Sequence, residues 1–378
     1  MQNKTGRLFL DHASTTWMDE EVRAEIDRVT MEIGGNPSSI HEEGRRARFL
    51  IEESRETVAG LLGLRPSEVV FTGSATESIN SVLQGYYWLT TPLATFYSTL
   101  AEHHATTETI EFLGDYGARF HWLPVDKWGT PDIDSVTGPA LVSLMAVNNE
   151  LGTILPSGFL QELKKKQVKI HIDGVQGLGK IDMTPYLSAD FLSFSGHKIR
   201  GPRGVGLMII RQGNELKPLL HGGSQERNRR SGTEATALIA GFTLALKKAL
   251  KDRAPVSDQI RSVNQHLRSL LQDRLPSIRV NSPETGSPWI LNLTLFLPDG
   301  RLADGEAVIM GLDSAGISVS NGSACSSGSF EPSHVLFAIG QSTEEARSGL
   351  RISFGHDQSL SDVQRFVEAL YTVLSRQF

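Results

Sequence analysis

Cysteine is almost absent from this sequence, and its scarcity limits the chemistry open to the protein. Of 378 residues only Cys325 is a cysteine. An internal disulfide needs two thiols, and cysteine-based zinc or iron–sulfur sites need several, so one chain can build neither. We therefore predict no metal site and a fold stabilised by a hydrophobic core, which a chain of this length can bury.

Long apolar runs and an excess of basic residues are missing as well. The apolar residues 8–10 are too few for a signal peptide, and no run approaches the ~18 residues of a membrane span. The 37 Lys and Arg against 43 Asp and Glu give a net charge of −6, which exerts no long-range attraction on nucleic acid or anionic membranes. The sequence predicts a cytoplasmic protein that binds neither nucleic acid nor membranes.

Short apolar segments alternate with segments of helical periodicity over the first two thirds of the chain. We predict strands at 68–71, 141–147, 168–172, 190–194 and 205–210, and helices at 39–62, 74–89 and 157–166. This alternation indicates an α/β fold with a largely parallel sheet covered on both faces. The nearly continuous apolar run at 141–147 is typical of a strand buried on both sides.

The pattern changes after about residue 250. Residues 251–257, which include Pro255, lie between two helical patterns and mark a predicted domain boundary. Beyond them we predict strands at 289–296, 317–320 and 350–354, a helix at 305–315, and a last amphipathic helix capped by Ser361. We therefore predict a large domain of residues 15–253 and a smaller α+β domain of residues 1–14 and 254–378.

Polar residues follow three successive predicted strands. Asn149 comes after the strand at 141–147, Asp173 after 168–172, and Lys198 after 190–194. Because ligands bind at the carboxyl ends of strands in open parallel sheets, we expect a binding site at this edge.

Lys198 is the most informative of these residues. A lysine amine acts as a catalyst mainly by forming a Schiff base with a carbonyl, most often that of pyridoxal phosphate. Ser195 and His197 lie beside it and suit a phosphate, and Asp173 suits the protonated pyridine nitrogen of the cofactor. The alternatives are a surface lysine after a core strand and an aspartate that only caps a helix.

Residues 73–77 and the histidine pair offer two further candidates. The first amides of a helix after residue 73, with the hydroxyls of Ser74 and Thr76, suit a phosphate, although Ser and Thr also cap helices everywhere. His103 suits a ring stacked on a cofactor that passes protons. His103 and His104 as metal ligands are the alternative, but the sequence offers no partner set.

Cys325 and Arg351 suggest a reactive thiol and an anion site. Cys325 lies among small polar residues, a setting typical of an exposed thiol that moves and reacts, although a chance surface cysteine is the alternative. Arg351 projects from a predicted strand and needs an anionic partner, either a substrate carboxylate or an internal acidic residue.

Taken together, these residues resemble the pyridoxal-phosphate-dependent cysteine desulfurases of the class V aminotransferase family. The similarity runs from residue 10 to residue 353. The matching motifs are Gly35-Asn36-Pro37-Ser38-Ser39, Val147-Asn148-Asn149-Glu150-Leu151-Gly152, Ser193-Phe194-Ser195-Gly196-His197-Lys198 and Arg230-Ser231-Gly232-Thr233. The run Gly322-Ser323-Ala324-Cys325-Ser326-Ser327 is similar to the long-loop subgroup. The resemblance implies fold type I of pyridoxal-phosphate-dependent transferases, with a mostly parallel sheet between helices in a large domain and a smaller α+β domain, and it implies a homodimer.

The resemblance also assigns roles to residues. Lys198 would hold the cofactor and move the α proton of the substrate, with His103 stacked on the ring as an acid–base group. Asp173 would pair with the pyridine nitrogen and Gln176 with the phenolic oxygen. The phosphate would be held by Ala75, Thr76, Ser195, His197 and the partner subunit's Thr233. The substrate carboxylate would be bound by Arg351 and by Asn149, which also lies beside the cofactor.

The implied reaction converts L-cysteine into L-alanine, with the sulfur carried as a persulfide on Cys325 to an acceptor protein. A related lyase or aminotransferase of the same fold, including a selenocysteine lyase, is one alternative, and a cofactor-free docking platform is another. Two features depart from the family. Gly73 and Ser74 stand in the reverse of the usual order, and only 27 residues follow Arg351, which leaves a specialised sulfur acceptor open.

Overall fold

The computed structural model describes residues 6–322 and 331–377. Its strands are β1 Leu8–Phe9, β2 Val69–Thr72, β3 Thr95–Ser98, β4 Arg119–Trp122, β5 Leu141–Met145, β6 Lys169–Asp173, β7 Phe191–Ser195, β8 Gly206–Ile210, β9 Arg279–Val280, β10 Ile290–Thr294, β11 Ile317–Ser318 and β12 Gly349–Ser353. Its helices are α1 Glu20–Glu32, α2 Glu42–Leu62, α3 Ala75–Thr90, α4 His104–Asp115, α5 Gly158–Lys165, α6 Gln225–Asn228, α7 Thr236–Arg274, α8 Gly305–Ser314, α9 His334–Ala338, α10 Thr343–Arg347 and α11 Leu360–Leu374.

A seven-stranded sheet forms the centre of the molecule. Its strand order is β2-β8-β7-β6-β5-β3-β4, and only β8 runs antiparallel to its neighbours. The predicted, largely parallel α/β sheet is therefore confirmed. In the register of the three central strands Asp173 lies opposite Met145 on one side and Ser193 on the other, so their carboxyl ends form one edge.

Both faces of this sheet are buried, because neighbouring residues of each strand point in opposite directions. Val142 and Leu192 pack with α1, α2 and α7 on one face, whereas Leu141 and Phe191 pack with α3 and α4 on the other. A strand covered on both sides must be apolar at successive positions, which is the pattern that the sequence shows at 141–147.

A second core lies beside the sheet. The antiparallel strands β12, β10 and β9 pack with α8, α11 and the C-terminal half of α7, and β1 pairs with β11 in parallel. The last helix begins after Ser359 and not after Ser361, so the predicted cap is wrong. The Ser359 hydroxyl accepts the amide of Asp362, whose carboxylate accepts the amide of Ser359 in return, and this reciprocal pair fixes the start of the helix.

Residues 251–257 do not separate two helices, contrary to the prediction. They lie inside α7, a continuous helix of 39 residues that contains Pro255. Proline removes one helix hydrogen bond, but Phe242 on one side of it packs into the sheet core and Leu267 on the other packs into the second core. Packing at both ends holds the helix together, and the division into domains at residues 253 and 254 stays a prediction.

The helices of residues 6–322 and 331–377 were compared with the requirements for a membrane span. None of the helices there combines the length and apolar composition needed to cross a membrane.

Candidate functional site

A cavity of about 310 Å³ lies at the carboxyl ends of the central strands. This volume falls in the usual range of small-molecule sites, roughly 300–1,000 Å³. The predicted site residues that line it are Ala75, Thr76, His103, Asn149, Asp173, Gln176, Ser195, His197, Lys198 and Arg351. Side chains from distant parts of the sequence therefore converge on one site, as the strand-end rule predicts.

Lys198 reaches the cavity from a tight turn after β7. The turn is a 3₁₀ helix, Gly196–Lys198, that passes close to neighbouring backbone. A Cβ on Gly196 would lie 2.9 Å from the carbonyl oxygen of Pro202, so a larger residue would displace the turn. The Nζ of Lys198 donates to the carbonyl oxygens of Ala13 and Ser14, both at 2.6 Å. The N-terminal segment thus holds the amine in place.

Asp173 places a carboxylate at the end of β6. Burial raises its pKa to about 6, while the amide of Val175, which donates to Oδ1 at 2.9 Å, and the charge of Lys198 act in the opposite direction. The negative charge of a carboxylate in this position is only partly offset by its neighbours. The site therefore favours a cationic partner in the cavity. The protonated nitrogen of a pyridine ring meets that requirement.

His103 is a neutral imidazole in this site. It caps α4, where its Nδ1 accepts the backbone amide of Ala105 at 3.0 Å. Because Nδ1 is an acceptor, the ring proton is on Nε2. Burial, aided by the charge of Lys198, lowers the pKa of His103 to about 4. His104 lies outside the cavity lining and packs on His334, with ring centroids 4.1 Å apart.

The N-terminus of α3 forms the other end of the cavity. Ser74 caps the helix by accepting the amide of Glu77 at 3.1 Å, which leaves the first amides, those of Ala75 and Thr76, without partners inside the helix. A helix N-terminus of this kind binds phosphate. The order Gly73-Ser74, which departs from the family pattern, puts the serine at the capping position.

Two side chains complete this phosphate end. Ser195 ends β7 and lines the cavity. His197 Nδ1 lies 3.1 Å from the hydroxyl of Thr15, and burial together with the charge of Lys198 lowers the pKa of His197 to about 4. Hydroxyl, neutral imidazole and backbone amides all provide hydrogen bonds to phosphate oxygens. The donor set therefore fits a phosphate group.

Arg351 and Asn149 also line the cavity. The Arg351 guanidinium is 3% exposed and donates to Asp11 Oδ1 at 2.9 Å, Ser14 Oγ at 2.7 Å and the carbonyl oxygen of Asn149 at 3.0 Å. Asp11 is thus the internal acidic partner that the sequence analysis gave as one alternative for this arginine. Within the described residues its Nε and the Oδ1 of Asn149 are buried without hydrogen-bond partners, so both retain capacity for a ligand.

Two further predicted site residues remain, Thr233 and Cys325. Thr233 is exposed and does not line the cavity. Cys325 lies outside the described residues, although Gly322, three positions earlier, lines the cavity.

Three contributors to the site carry no clear signal in the sequence. Ala13 contacts Lys198 through its backbone carbonyl, which any residue would supply. Glu102 is buried at the end of the sheet, accepts the amide of Met145, and has a raised pKa because of burial. Lys180 lies four residues after Gln176 on the same face of a turn, and that spacing is the one signal that would have found it.

Comparisons with known proteins agree with this geometry. Residues 8–366 match the family model of class V aminotransferases. A cysteine desulfurase IscS of Dictyoglomus turgidum is 35% identical over 378 residues, which cover 98% of this chain and 95% of the relative. A solved NifS-like protein matches with a TM-score of 0.89 at 33% identity, covering 98% of this chain and all of that one. A structure of SspA in complex with cysteine matches with a TM-score of 0.79 at 30% identity, covering 92% and 98% of the two chains.

The match extends over nearly the whole chain, and the cavity fits the cofactor that this family uses. The fold is that of fold type I enzymes. This chain therefore belongs to the class V aminotransferase family of pyridoxal-phosphate-dependent enzymes, among the relatives of the cysteine desulfurases.

Proposed function

We propose that this protein is a homodimeric, cytoplasmic cysteine desulfurase that converts L-cysteine into L-alanine and passes the sulfur to an acceptor protein. The observation that carries the proposal is that Lys198, Asp173 and Arg351 line one cavity. These residues supply an amine, an anion and a cation, which a pyridoxal phosphate enzyme acting on an amino acid needs. When bound, the cofactor supplies the aldehyde and the electron sink for the reaction.

The residues of the cavity would hold different parts of the cofactor. Lys198 would bind the aldehyde and Asp173 the ring nitrogen. Gln176 would donate to the phenolic oxygen, and His103 would lie against the ring. The phosphate would be held by Ala75, Thr76, Ser195 and His197. Thr233 of a second subunit would complete this set, in keeping with its exposure in one chain.

The substrate carboxylate would be bound by Arg351 and Asn149. The guanidinium is already oriented by Asp11 and Ser14, so little side-chain entropy is lost when an anion binds. Once L-cysteine is bound, the Nζ of Lys198 would act as the base that takes the α proton of the substrate. Its contacts with the carbonyls of Ala13 and Ser14 keep the amine in reach.

Sulfur transfer requires the thiolate of Cys325. Its Sγ would attack the sulfur of the substrate, a new S–S bond would form, and the C–S bond would break with its electron pair left on the substrate carbon. Protonation of that carbon and return of the α proton to the α carbon, with His103 Nε2–H and the Lys198 amine as the available proton carriers, would give L-alanine. Gly322, three positions before Cys325 in the sequence, lines the cavity.

Two variants test the proposal. Cys325→Ala should keep the yellow colour of the bound cofactor but release no sulfide from L-cysteine, whereas Lys198→Ala should lose both. Mass spectrometry of the wild-type protein after exposure to L-cysteine should find a sulfur adduct on Cys325. Undiminished sulfide release by Cys325→Ala would reject the desulfurase and favour a related lyase, and a protein that stays colourless with added pyridoxal phosphate would favour a docking platform.

A further inference from the structure

Lys180 is a buried lysine for which the proposed reaction has no use. It is 4% exposed and lies in the turn after β6, four residues beyond Gln176. It forms no salt bridge with any residue of the described ranges. Its Nζ donates to Oε1 of Gln176 at 2.8 Å and lies 5.9 Å from the ring centroid of Trp289. Burying a lysine away from an acid is costly, so a specific task for this side chain is expected.

The contacts of Gln176 determine which way its amide points. The Nζ of Lys180 donates to Oε1 of Gln176, so the atom of Gln176 that faces Lys180 is the carbonyl oxygen. On its other side the amide meets the carbonyl oxygen of Ala13, which only accepts, at 2.8 Å, so the atom there is the nitrogen. The two contacts agree, and a flipped amide would place its oxygen against the carbonyl oxygen of Ala13. The remaining N–H of Gln176 Nε2 is thereby available to the cavity that Gln176 lines.

We propose that Lys180 is a positioning residue that holds the Gln176 amide with its nitrogen toward the cofactor. The inference rests on the proposed pyridoxal phosphate site, where Gln176 faces the phenolic oxygen. That oxygen is an acceptor, so an amide held the other way would repel it. Lys180 acts only through Gln176 in this arrangement.

The charges around Lys180 agree with a role as donor. Burial, with the charges of Lys198 and Arg351, lowers the pKa of Lys180 to about 7. Its neutral amine still has N–H donors for Gln176 Oε1. The groups that face it from other elements are His12, His197 and His356, and burial lowers the pKa of each of them, so all three are uncharged near pH 7.

A double-mutant cycle on cofactor binding tests this inference. Apo protein is titrated with pyridoxal phosphate, and both the dissociation constant and the visible absorbance maximum are measured. Lys180→Met should weaken binding about tenfold and shift the maximum, because the amide can then rotate. In a Gln176→Ala background the same substitution should have almost no effect. Lys251→Met, at an exposed site, is the matched control and should bind as the wild type does.

Lys180→Gln is a second variant, whose neutral amide still offers a donor to Gln176. It should lose less affinity than Lys180→Met, and it replaces that variant if Lys180→Met fails to fold. Equal losses in the presence and absence of the Gln176 side chain would overturn the positioning role while leaving the proposed function intact. A wild-type protein that does not bind pyridoxal phosphate would overturn both.

Discussion

The pKa of Asp173 leads to a prediction in which a mutation at the site stabilises the empty protein. Asp173 ionises with an ordinary pKa of 3.8 when unfolded and about 6 when folded. A carboxyl group whose pKa is higher in the folded state than in the unfolded state destabilises the fold at pH values above its unfolded pKa. The penalty is absent below pH 3.8, grows as the pH rises through the window to about 6, and is complete above it. At 1.36 kcal/mol per pKa unit, the full penalty is about 3 kcal/mol.

Asp173→Asn removes this penalty at little structural cost. An asparagine oxygen can still accept the amide of Val175, and the amide nitrogen would face the cavity, where water is available. We expect the cofactor-free variant to be more stable than the wild type by about 3 kcal/mol at pH 8 and by about half of that at pH 5. Urea unfolding of both proteins at the two pH values measures the difference.

The cofactor should reverse the order. Pyridoxal phosphate gives the carboxylate its cationic partner, so saturating cofactor should stabilise the wild type more than Asp173→Asn. The exposed Asp273→Asn is the matched control and should leave stability unchanged at either pH. If the gain from Asp173→Asn is the same at pH 5 and pH 8, or if the variant is less stable at both, then burial of an ionised carboxylate is not what this site carries.

Three further changes have definite expected outcomes. Arg351→Gln should reduce kcat/KM for L-cysteine about 100-fold with the cofactor spectrum unchanged, because a charge-assisted contact is worth about 2–3 kcal/mol. Steady-state kinetics measure this loss, with the exposed Arg274→Gln as the control. A loss confined to kcat, with KM unchanged, would contradict the expectation. Glu226→Gln should lower the free energy of unfolding in urea by about 3–5 kcal/mol, because Arg55 then stays buried without its bidentate partner at 2.7 and 2.8 Å. The side chain of Glu52, beside the same arginine, is 46% exposed, so Glu52→Gln should lower it by under about 1 kcal/mol. Equal losses of stability in the two variants would refute the argument. Ser359→Ala should cost about 1 kcal/mol and Ser361→Ala almost nothing, so the reverse order would place the cap where the sequence suggests it.

The strand-end residues of the site were predictable because topology alone brings them together. Asn149, Asp173 and Lys198 follow three strands whose apolar runs are unmistakable, and parallel pairing must align their ends. Strands β3 and β4 lie outside the predicted set. The predicted strand boundaries differ from the observed ones by up to two residues. These differences remain because strand pairing, and not composition, determines where a strand ends.

Other features depend on tertiary contacts that composition does not encode. Pro255 argues locally for a break, since an interior proline costs about 3 kcal/mol, yet α7 continues because both of its halves are packed. The two carbonyls that hold Lys198 belong to Ala13 and Ser14, nearly two hundred positions away, and carbonyls carry no residue identity. Serine suits a cap at 359 as well as at 361, and only the reciprocal bond with Asp362 decides between them.

Burial determines which side chains give the cavity its charge. It lowers the pKa of His103 and His197 to about 4, so at neutral pH both imidazoles are uncharged and serve as hydrogen-bonding groups. Burial also raises the pKa of Glu102, which favours its neutral form beside Asp173. Positive charge at the wall therefore comes from lysine and arginine, which suits a cavity that must receive both a phosphate and a carboxylate. An anion site built on histidine would lose its charge above about pH 6.5, whereas a guanidinium group stays protonated in proteins.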